Sequence, residues 1–313
     1  MPLWKQLLRP FSIVLPNLRD GILAGVGAIQ SLVKLLIWRP DVVFTKGGFV
    51  CLPVGLAARV LNIPLVIHDS DAHPGLTNRI LSRWATAIAT GAPLEYYSYN
   101  PAIARYVGIP ISSDFKPFTP DEQIAAKRSL GFNPATPLVV VTGGGLGAQR
   151  VNDATVAALP ELLPYTSVSL VSGAGQYDQL LKVTPKNDDR FQLHAFISNG
   201  MATLLGAADV VVTRAGATTI LELAALAKPT ILIPNGFLTG GHQLKNAAVY
   251  AEAGAVELVV EDTMMATSSH LPHAIINLLN DTDRRSDMAS RFHEFSRPNA
   301  ARDMADMIEH AAK

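Results

Sequence analysis

From residue 40 onward, short unbroken runs of β-branched and aliphatic residues recur, each followed by a stretch with apolar side chains at helical spacing. The runs are 41–45, 64–68, 86–90 and 105–108, then 137–142, 166–171, 191–195, 209–213, 229–233 and 255–260. Most of them are continuously apolar, so strands built from them are buried on both faces. Buried strands that alternate with helices of roughly 10–15 residues form parallel sheets covered on both sides. The chain is therefore read as α/β, with two Rossmann-like, doubly wound domains. The series is interrupted at 109–137, which carries Pro110, Pro117, Pro120, Pro134 and Pro137 and one short helix near 120–130. That stretch reads as the interdomain linker, giving expected domains of 1–116 and 117–313. In such sheets ligands bind beyond the carboxyl ends of the strands, so the post-strand loops carry the chemistry.

Composition removes several function classes. Hydrophobic residues make up 49% and charged residues 17%, which excludes a disordered chain. Lys+Arg 26 balances Asp+Glu 26, so no basic excess argues for nucleic acid. The one cysteine, Cys51, excludes a disulfide framework and a cysteine metal cluster, and suits a reducing compartment.

The N-terminal segment is of a different kind. Lys5, Arg9, Arg19, Lys34 and Arg39 stand against one acid, Asp20, and Gly21 to Trp38 is almost wholly apolar. Lys34 and the small residues count against a transmembrane span, and no clean cleavage site supports a signal peptide. An amphipathic helix fits best, with Leu32, Val33, Leu36 and Ile37 at helical spacing. It packs on the core or lies on a membrane, its cations meeting anionic head groups.

Three loops of the second half fit an anionic, hydroxyl-rich ligand. Run 137–142 leads into Gly143-Gly144-Gly145-Leu146-Gly147-Ala148 and then a helix, the pattern of a phosphate loop at a helix N-terminus or of a tight strand–helix turn. A nicotinamide dinucleotide site would need an acid at the end of the next strand; that strand ends Leu170-Val171-Ser172. Run 209–213 leads into Arg214-Ala215-Gly216-Ala217-Thr218-Thr219-Ile220-Leu221-Glu222. The threonines suit phosphate oxygens. Glu222 would repel a phosphate but accept from sugar hydroxyls, or it simply complements the helix dipole. The combination points to a nucleotide sugar. A third loop ends in His242-Gln243, with Asn246 on the same helix face, where amides read hydroxyls or merely open a polar helix. In the first half, Lys46-Gly47-Gly48-Phe49 and His68-Asp69-Ser70-Asp71 follow strands. A histidine beside an acid at such a place serves acid–base chemistry or is a satisfied core residue. No metal-ligand spacing occurs.

Taken together these loops resemble the MurG family of bacterial glycosyltransferases. The likeness is carried by Gly47-Gly48-Phe49 through Gly55-Leu56-Ala57-Ala58, and by His68-Asp69 with Gly75-Leu76-Thr77-Asn78. In the second half it is carried by Gly143 through Ala148 with Asn152, Ala217 through Glu222, and His242-Gln243 with Asn246. It runs from about residue 35 to 312. The resemblance implies a GT-B architecture and inverting transfer of N-acetylglucosamine from UDP-GlcNAc to the C4 hydroxyl of an undecaprenyl-pyrophosphoryl N-acetylmuramoyl-pentapeptide (lipid I to lipid II), without a cofactor or obligatory metal. It further implies a donor site of Asp71, Gly145, Leu146, Gly147, Ile197, Ala217, Thr218, Thr219, Ile220, Leu221, Glu222, His242 and Gln243. Within it Ile197 meets the uracil, Glu222 the ribose, Ala217 to Thr219 the phosphates, and His242 and Gln243 the sugar. Gly47, Gly48, Phe49, Thr77 and Asn78 fall on the acceptor side, with His68 and Asp69 as candidate catalytic residues. The N-terminal segment would dock on anionic lipids at the cytoplasmic face of the cell membrane, as a peripheral protein.

The chain also departs from the family pattern. The opening glycine-rich loop, Gly-Gly-Thr-Gly-Gly-His, has no counterpart, which leaves the first sheet an exposed edge. The motif His-Glu-Gln-Asn is here His68-Asp69-Ser70-Asp71, the arginine expected after Ile111 is Ser112, and a Ser-Gln pair is Gly145-Leu146. Two classes of function follow: an active transferase, with the missing unit supplied by another chain or upstream sequence, and a non-catalytic UDP-sugar-binding or scaffold protein at the membrane.

Overall fold

The computed structural model describes residues 9–144, 148–186, 188–236 and 241–313, with side chains from residue 18. The chain divides into two compact units, residues 1–107 with 302–313, and residues 108–301. The expected break at 116/117 therefore differs at two places. Residues 108–116 go with the second unit, and the last twelve residues return to the first.

The first unit holds a four-stranded parallel sheet in the order β1 (Val43–Thr45), β2 (Leu65–Asp69), β3 (Ala87–Thr90), β4 (Ala104–Tyr106). Every residue of β2 is buried: Leu65 to Ile67 as an apolar run requires, and His68 and Asp69 at its end with them. Helix α1 (Arg9–Trp38) precedes the sheet, and α2 (Cys51–Val60) and α3 (Leu76–Leu81) connect its strands. Leu35 of α1 is buried in the core with Ala57, Ala58, Leu65, Ile67 and Leu81, and Leu32 packs against the same cluster. Gly27 faces Pro53 of α2. From Leu18 on, most of the other side chains of α1 are bare: Leu18, Ile22, Leu23, Val26, Ile29, Val33, Leu36, Ile37 and Trp38 are exposed. One stripe of this helix packs on the core, as one of the two expectations had it, and its other side is apolar and exposed. Leu18–Trp38 is long and apolar enough to cross a membrane, by length and composition alone.

The second unit holds six parallel strands: β5 (Leu138–Thr142), β6 (Ser167–Val171), β7 (Phe191–His194), β8 (Val210–Thr213), β9 (Thr230–Leu232) and β10 (Glu257–Leu258). Their order is β10-β9-β8-β5-β6-β7. The chain winds outward from β5 through β6 to β7, then returns to β8 on the other side of β5. The strand order thus reverses between β5 and β8, the switch point at which open α/β sheets bind ligands. Helices α5 (Gln149–Leu162), α6 (Ala174–Leu180), α7 (Met201–Ala207), α8 (Ala217–Ala225) and α9 (His242–Glu252) fill the crossovers. They are followed by α10 (Glu261–Ala266), α11 (His270–Asn280) and α12 (Thr282–His293), and then by α13 (Ala300–Ala311), most of which belongs to the first unit.

The Pro-rich stretch folds onto this second sheet through α4 (Pro120–Ser129). Thr119 and Glu122 close a capping box at its start, and Pro120 sits at the first turn, where a missing N–H costs nothing. The Lys127 ammonium donates to Asp209 Oδ2 at 2.6 Å, and the same oxygen accepts from the Leu138 amide at 2.7 Å. Gln123 Nε2 adds bonds to Ala208 O at 3.0 Å and Asp209 Oδ1 at 3.2 Å. These contacts, absent from any linker pattern, are why α4 belongs to the second unit.

Candidate functional site

At the switch point Thr142 and Thr213 end β5 and β8 as register partners. The loop after β5 turns through Gly144 at φ +74°, a conformation open to glycine, and Thr142 Oγ1 accepts from the Gly144 amide at 3.2 Å. Gly145, Leu146 and Gly147 lie outside the described residues. Beyond them α5 brings in Asn152, fully buried, whose Nδ2 donates to Ser172 O at 2.9 Å and Gln176 Oε1 at 2.5 Å. Asn152 thereby ties the start of α5 to the loop that follows β6.

The loop after β8 is held from three directions. Arg214, buried, donates to Ile233 O at 3.0 Å and pairs with buried Glu261 at the start of α10. Arg150 of α5 reaches the other oxygen of Glu261 at 3.5 Å. Asn246 of α9, also buried, donates to Ala215 O at 3.3 Å. The loop that opens α8 is thus fixed before any ligand arrives. Ala217 and Thr219 are half-buried at the α8 N-terminus and Thr218 is exposed, whereas Ile220 and Leu221 are buried and face the core. Ile220 and Leu221 therefore support the site from beneath.

Glu222 lies in the second turn of α8, half-buried. Its carboxyl makes no ion pair or hydrogen bond among the described residues, and burial alone pushes its pKa up to about 7. A carboxylate so placed is a strong acceptor awaiting donors. Ile197 is half-buried in the loop after β7, and His242 and Gln243 open α9. Gln243 Oε1 accepts from the Asn235 amide at 2.9 Å. Asn246 and Gln243 share a helix face, as expected. Asn246, however, is turned inward to the loop carbonyl, and Gln243 spends its oxygen on the preceding loop.

In the first unit the loops after β1 and β2 are joined. Gly47 and Gly48 adopt φ +79° and +81°, and the Gly47 Cα stands so close to the Asn78 side chain that a Cβ would lie 3.0 Å from its Nδ2. Asn78 Nδ2 donates to His68 O at 3.1 Å, and Thr77 and Asn78 are both buried. Phe49, 88% exposed, lies at the outer end of this arrangement. His68 has no exposed surface, and its Nδ1 meets Ser70 Oγ at 3.2 Å. Asp69 is buried and accepts from the Tyr99 hydroxyl at 2.7 Å. Desolvation raises its pKa to about 6, against the bonds from Tyr99 and Asn78. Asp71, half-buried, follows in the same loop. Tyr99, Arg214 and Glu261 were not singled out from sequence, since each acts through a partner far away in the chain.

Residues 9–90 match the glycosyltransferase family 28 N-terminal domain and residues 138–306 its C-terminal domain. The UDP-N-acetylglucosamine–N-acetylmuramyl-(pentapeptide) pyrophosphoryl-undecaprenol N-acetylglucosamine transferase of Exiguobacterium sp. is 36% identical over 285 residues, covering 90% of this chain and 77% of that protein. The chain belongs to the MurG family. A Bacillus cereus transferase of the same name, numbered 1, is 32% identical over 306 residues, covering 96% of this chain and 82% of its own. The crystal structure of Acinetobacter baumannii MurG superposes with a TM-score of 0.75 at 26% identity, covering 90% of this chain and 77% of that one. S. aureus MnaA, solved with UDP, has a TM-score of 0.66 at 11% identity, covering 93% of this chain and 81% of its own, a likeness of fold alone. This MurG-family chain thus has the GT-B fold of two parallel-sheet units, and it is a glycosyltransferase.

Proposed function

We propose that the chain transfers N-acetylglucosamine from UDP-GlcNAc to the muramoyl C4 hydroxyl of undecaprenyl-pyrophosphoryl N-acetylmuramoyl-pentapeptide, the step from lipid I to lipid II in peptidoglycan synthesis. The observation that carries this reading is the half-buried Glu222 carboxyl at the switch point of the second sheet, which has no partner among the described residues. Ribose hydroxyls supply the donors it lacks. The α5 and α8 N-termini, whose first-turn N–H groups have no acceptor within their own helix, face the diphosphate. As the acceptor oxygen attacks the anomeric carbon, the bond to UDP breaks and negative charge grows on the departing diphosphate. Preorganised N–H groups offset that charge without reorganising. Ile197, Thr218, Thr219, His242 and Gln243 complete the donor site. The relatives named above are transferases, which favours this reading over a non-catalytic sugar-nucleotide binder.

The acceptor belongs to the first unit, at the loops around Gly47, Gly48, Phe49 and residues 69–78, a reading that moves Asp71 from the donor side to the acceptor side. The His68 ring has no exposed surface and is held against Ser70, so it serves here as a positioning residue, and Asp69 is the candidate for acid–base work. The bare side of α1, with Arg19, Lys34 and Arg39, rests on anionic lipids of the cytoplasmic leaflet, where the lipid-linked acceptor lies. Calorimetry with UDP-GlcNAc tests the donor site: Glu222→Ala should weaken binding by roughly tenfold or more, the loss of a charge-assisted hydrogen bond. Equal affinity in the two proteins would remove the ribose role.

A further inference from the structure

The segment after β3 carries tyrosines that the donor and acceptor motifs leave unexplained. The Tyr97 hydroxyl donates to Asp71 O at 2.6 Å and accepts from the Ala92 amide at 3.2 Å. The Tyr99 hydroxyl donates to Asp69 Oδ2 at 2.7 Å. The two rings stack, with centroids 5.6 Å apart and planes 13° from parallel. Nearby, Gly91 lies against Ser70 so closely that a Cβ would fall 2.5 Å from the Ser70 carbonyl oxygen. The loops that follow β2 and β3 are therefore one clip, with two phenols as its teeth.

Asp69 is the centre of this clip. Besides Tyr99 it accepts from the Asn78 side chain and the Gly75 amide, so the post-β3 segment and the start of α3 converge on one carboxylate. The titratable and charged groups around it are Tyr97 and Tyr99 from the post-β3 segment, Arg79 from α3, and His68 and Asp71 from its own strand and loop. Two acidic side chains in one short loop repel a diphosphate and accept from hydroxyls. Such a loop suits the saccharide end of a lipid-linked acceptor, not its diphosphate.

We propose that Tyr97 and Tyr99 are positioning residues for the acceptor, holding the 69–75 loop so that its oxygens meet the hydroxyl groups of the acceptor sugar. This rests on the acceptor reading given above. Tyr97 acts on the loop backbone, Tyr99 on the Asp69 carboxyl, and the two are separable by experiment.

The test is calorimetry of a short-chain, water-soluble pyrophosphoryl N-acetylmuramoyl-pentapeptide lipid between pH 5 and 8, with UDP-GlcNAc as control ligand. Wild-type affinity for the acceptor should fall below about pH 6, as Asp69 takes up a proton and the clip loses its acceptor. Tyr99→Phe should weaken acceptor binding about tenfold and move that midpoint upward, since the lost hydrogen bond favours the ionised carboxyl. Tyr97→Phe should weaken binding and leave the midpoint in place. Asp69→Asn should bind weakly at every pH in this range, and it serves as the readout if Tyr99→Phe does not fold. UDP-GlcNAc affinity should be the same in all folded variants. Wild-type acceptor affinity and an unmoved midpoint in Tyr99→Phe would overturn the proposal. A wild-type chain that binds UDP-GlcNAc but no acceptor would overturn the acceptor reading, and the proposal with it.

Discussion

Arg214 and Glu261 form an ion pair in which both side chains are buried, at 8% and 5% exposure. It joins the loop that opens α8 to the start of α10, and Arg150 leans on the same glutamate from α5. A buried pair of this kind adds little net stability over an apolar pair, yet removing one partner strands the other charge. Glu261→Ala should therefore cost about 3–5 kcal/mol. Urea unfolding of the second-unit signal would measure it, and a loss under about 1 kcal/mol would show that Arg214 finds another partner.

Glu222 should make both stability and nucleotide binding depend on pH. Its pKa in the folded chain, about 7, lies above the ordinary value of 4.5. The folded state thus holds more protons than the unfolded one between those values, and stability falls as pH rises through that window. Glu222→Gln should remove this slope from a series of thermal or urea unfolding curves. Binding runs the opposite way. Ribose donors favour the ionised carboxyl, so UDP affinity should rise from pH 6 to 8 and binding should release protons. Calorimetry in buffers of different ionisation enthalpy counts those protons, and proton uptake would contradict the assigned contact.

Gly91→Ala should damage the first unit selectively. The added Cβ would lie 2.5 Å from a backbone oxygen, which has no rotamer to retreat into. A cost of roughly 1–3 kcal/mol follows for overpacking. Hydrogen exchange should speed up in the loops at 69–75 and 91–99, with exchange in β5 and β8 unchanged. Uniform acceleration in both units would instead indicate global destabilisation.

The exposed side of α1 should be removable without unfolding the chain. Changing Ile22, Leu23, Ile29 and Ile37 to serine leaves Leu32 and Leu35 in the core. The variant should keep its thermal midpoint and stay in the supernatant when spun with anionic vesicles, where the unaltered chain should pellet in low salt. Equal sedimentation of the two would exclude this face as the lipid contact.

Much of the fold was legible because unbroken apolar runs admit few alternatives. All ten runs hold a strand, down to the two-residue β10, whose run at 255–260 only touches the sheet edge. The Thr119-Pro120 start of α4 was equally readable, since capping is local. Its attachment was not, because Asp209 lies 82 residues from Lys127 and no local pattern links them. The site divides the same way. Glycine positions and Glu222 follow from spacing after a strand. The inward turn of Asn246 does not, since helical spacing gives a face but not what lies opposite it. His68 shows the same limit: the sequence leaves acid–base chemistry and a satisfied core residue both open, and only the fold shows the ring buried against Ser70. Tyr97 and Tyr99 were invisible because a turn segment rich in tyrosine carries no period that says where its hydroxyls point.

The most direct measurement is transfer itself. Incubating the chain with radiolabelled UDP-GlcNAc and a soluble lipid I analogue, and counting label in the lipid fraction, asks the central question in one step. Label should appear in the lipid product, and Glu222→Ala should abolish most of it. UDP-GlcNAc bound by the chain with no label in the lipid would contradict the assignment as a transferase acting on that acceptor.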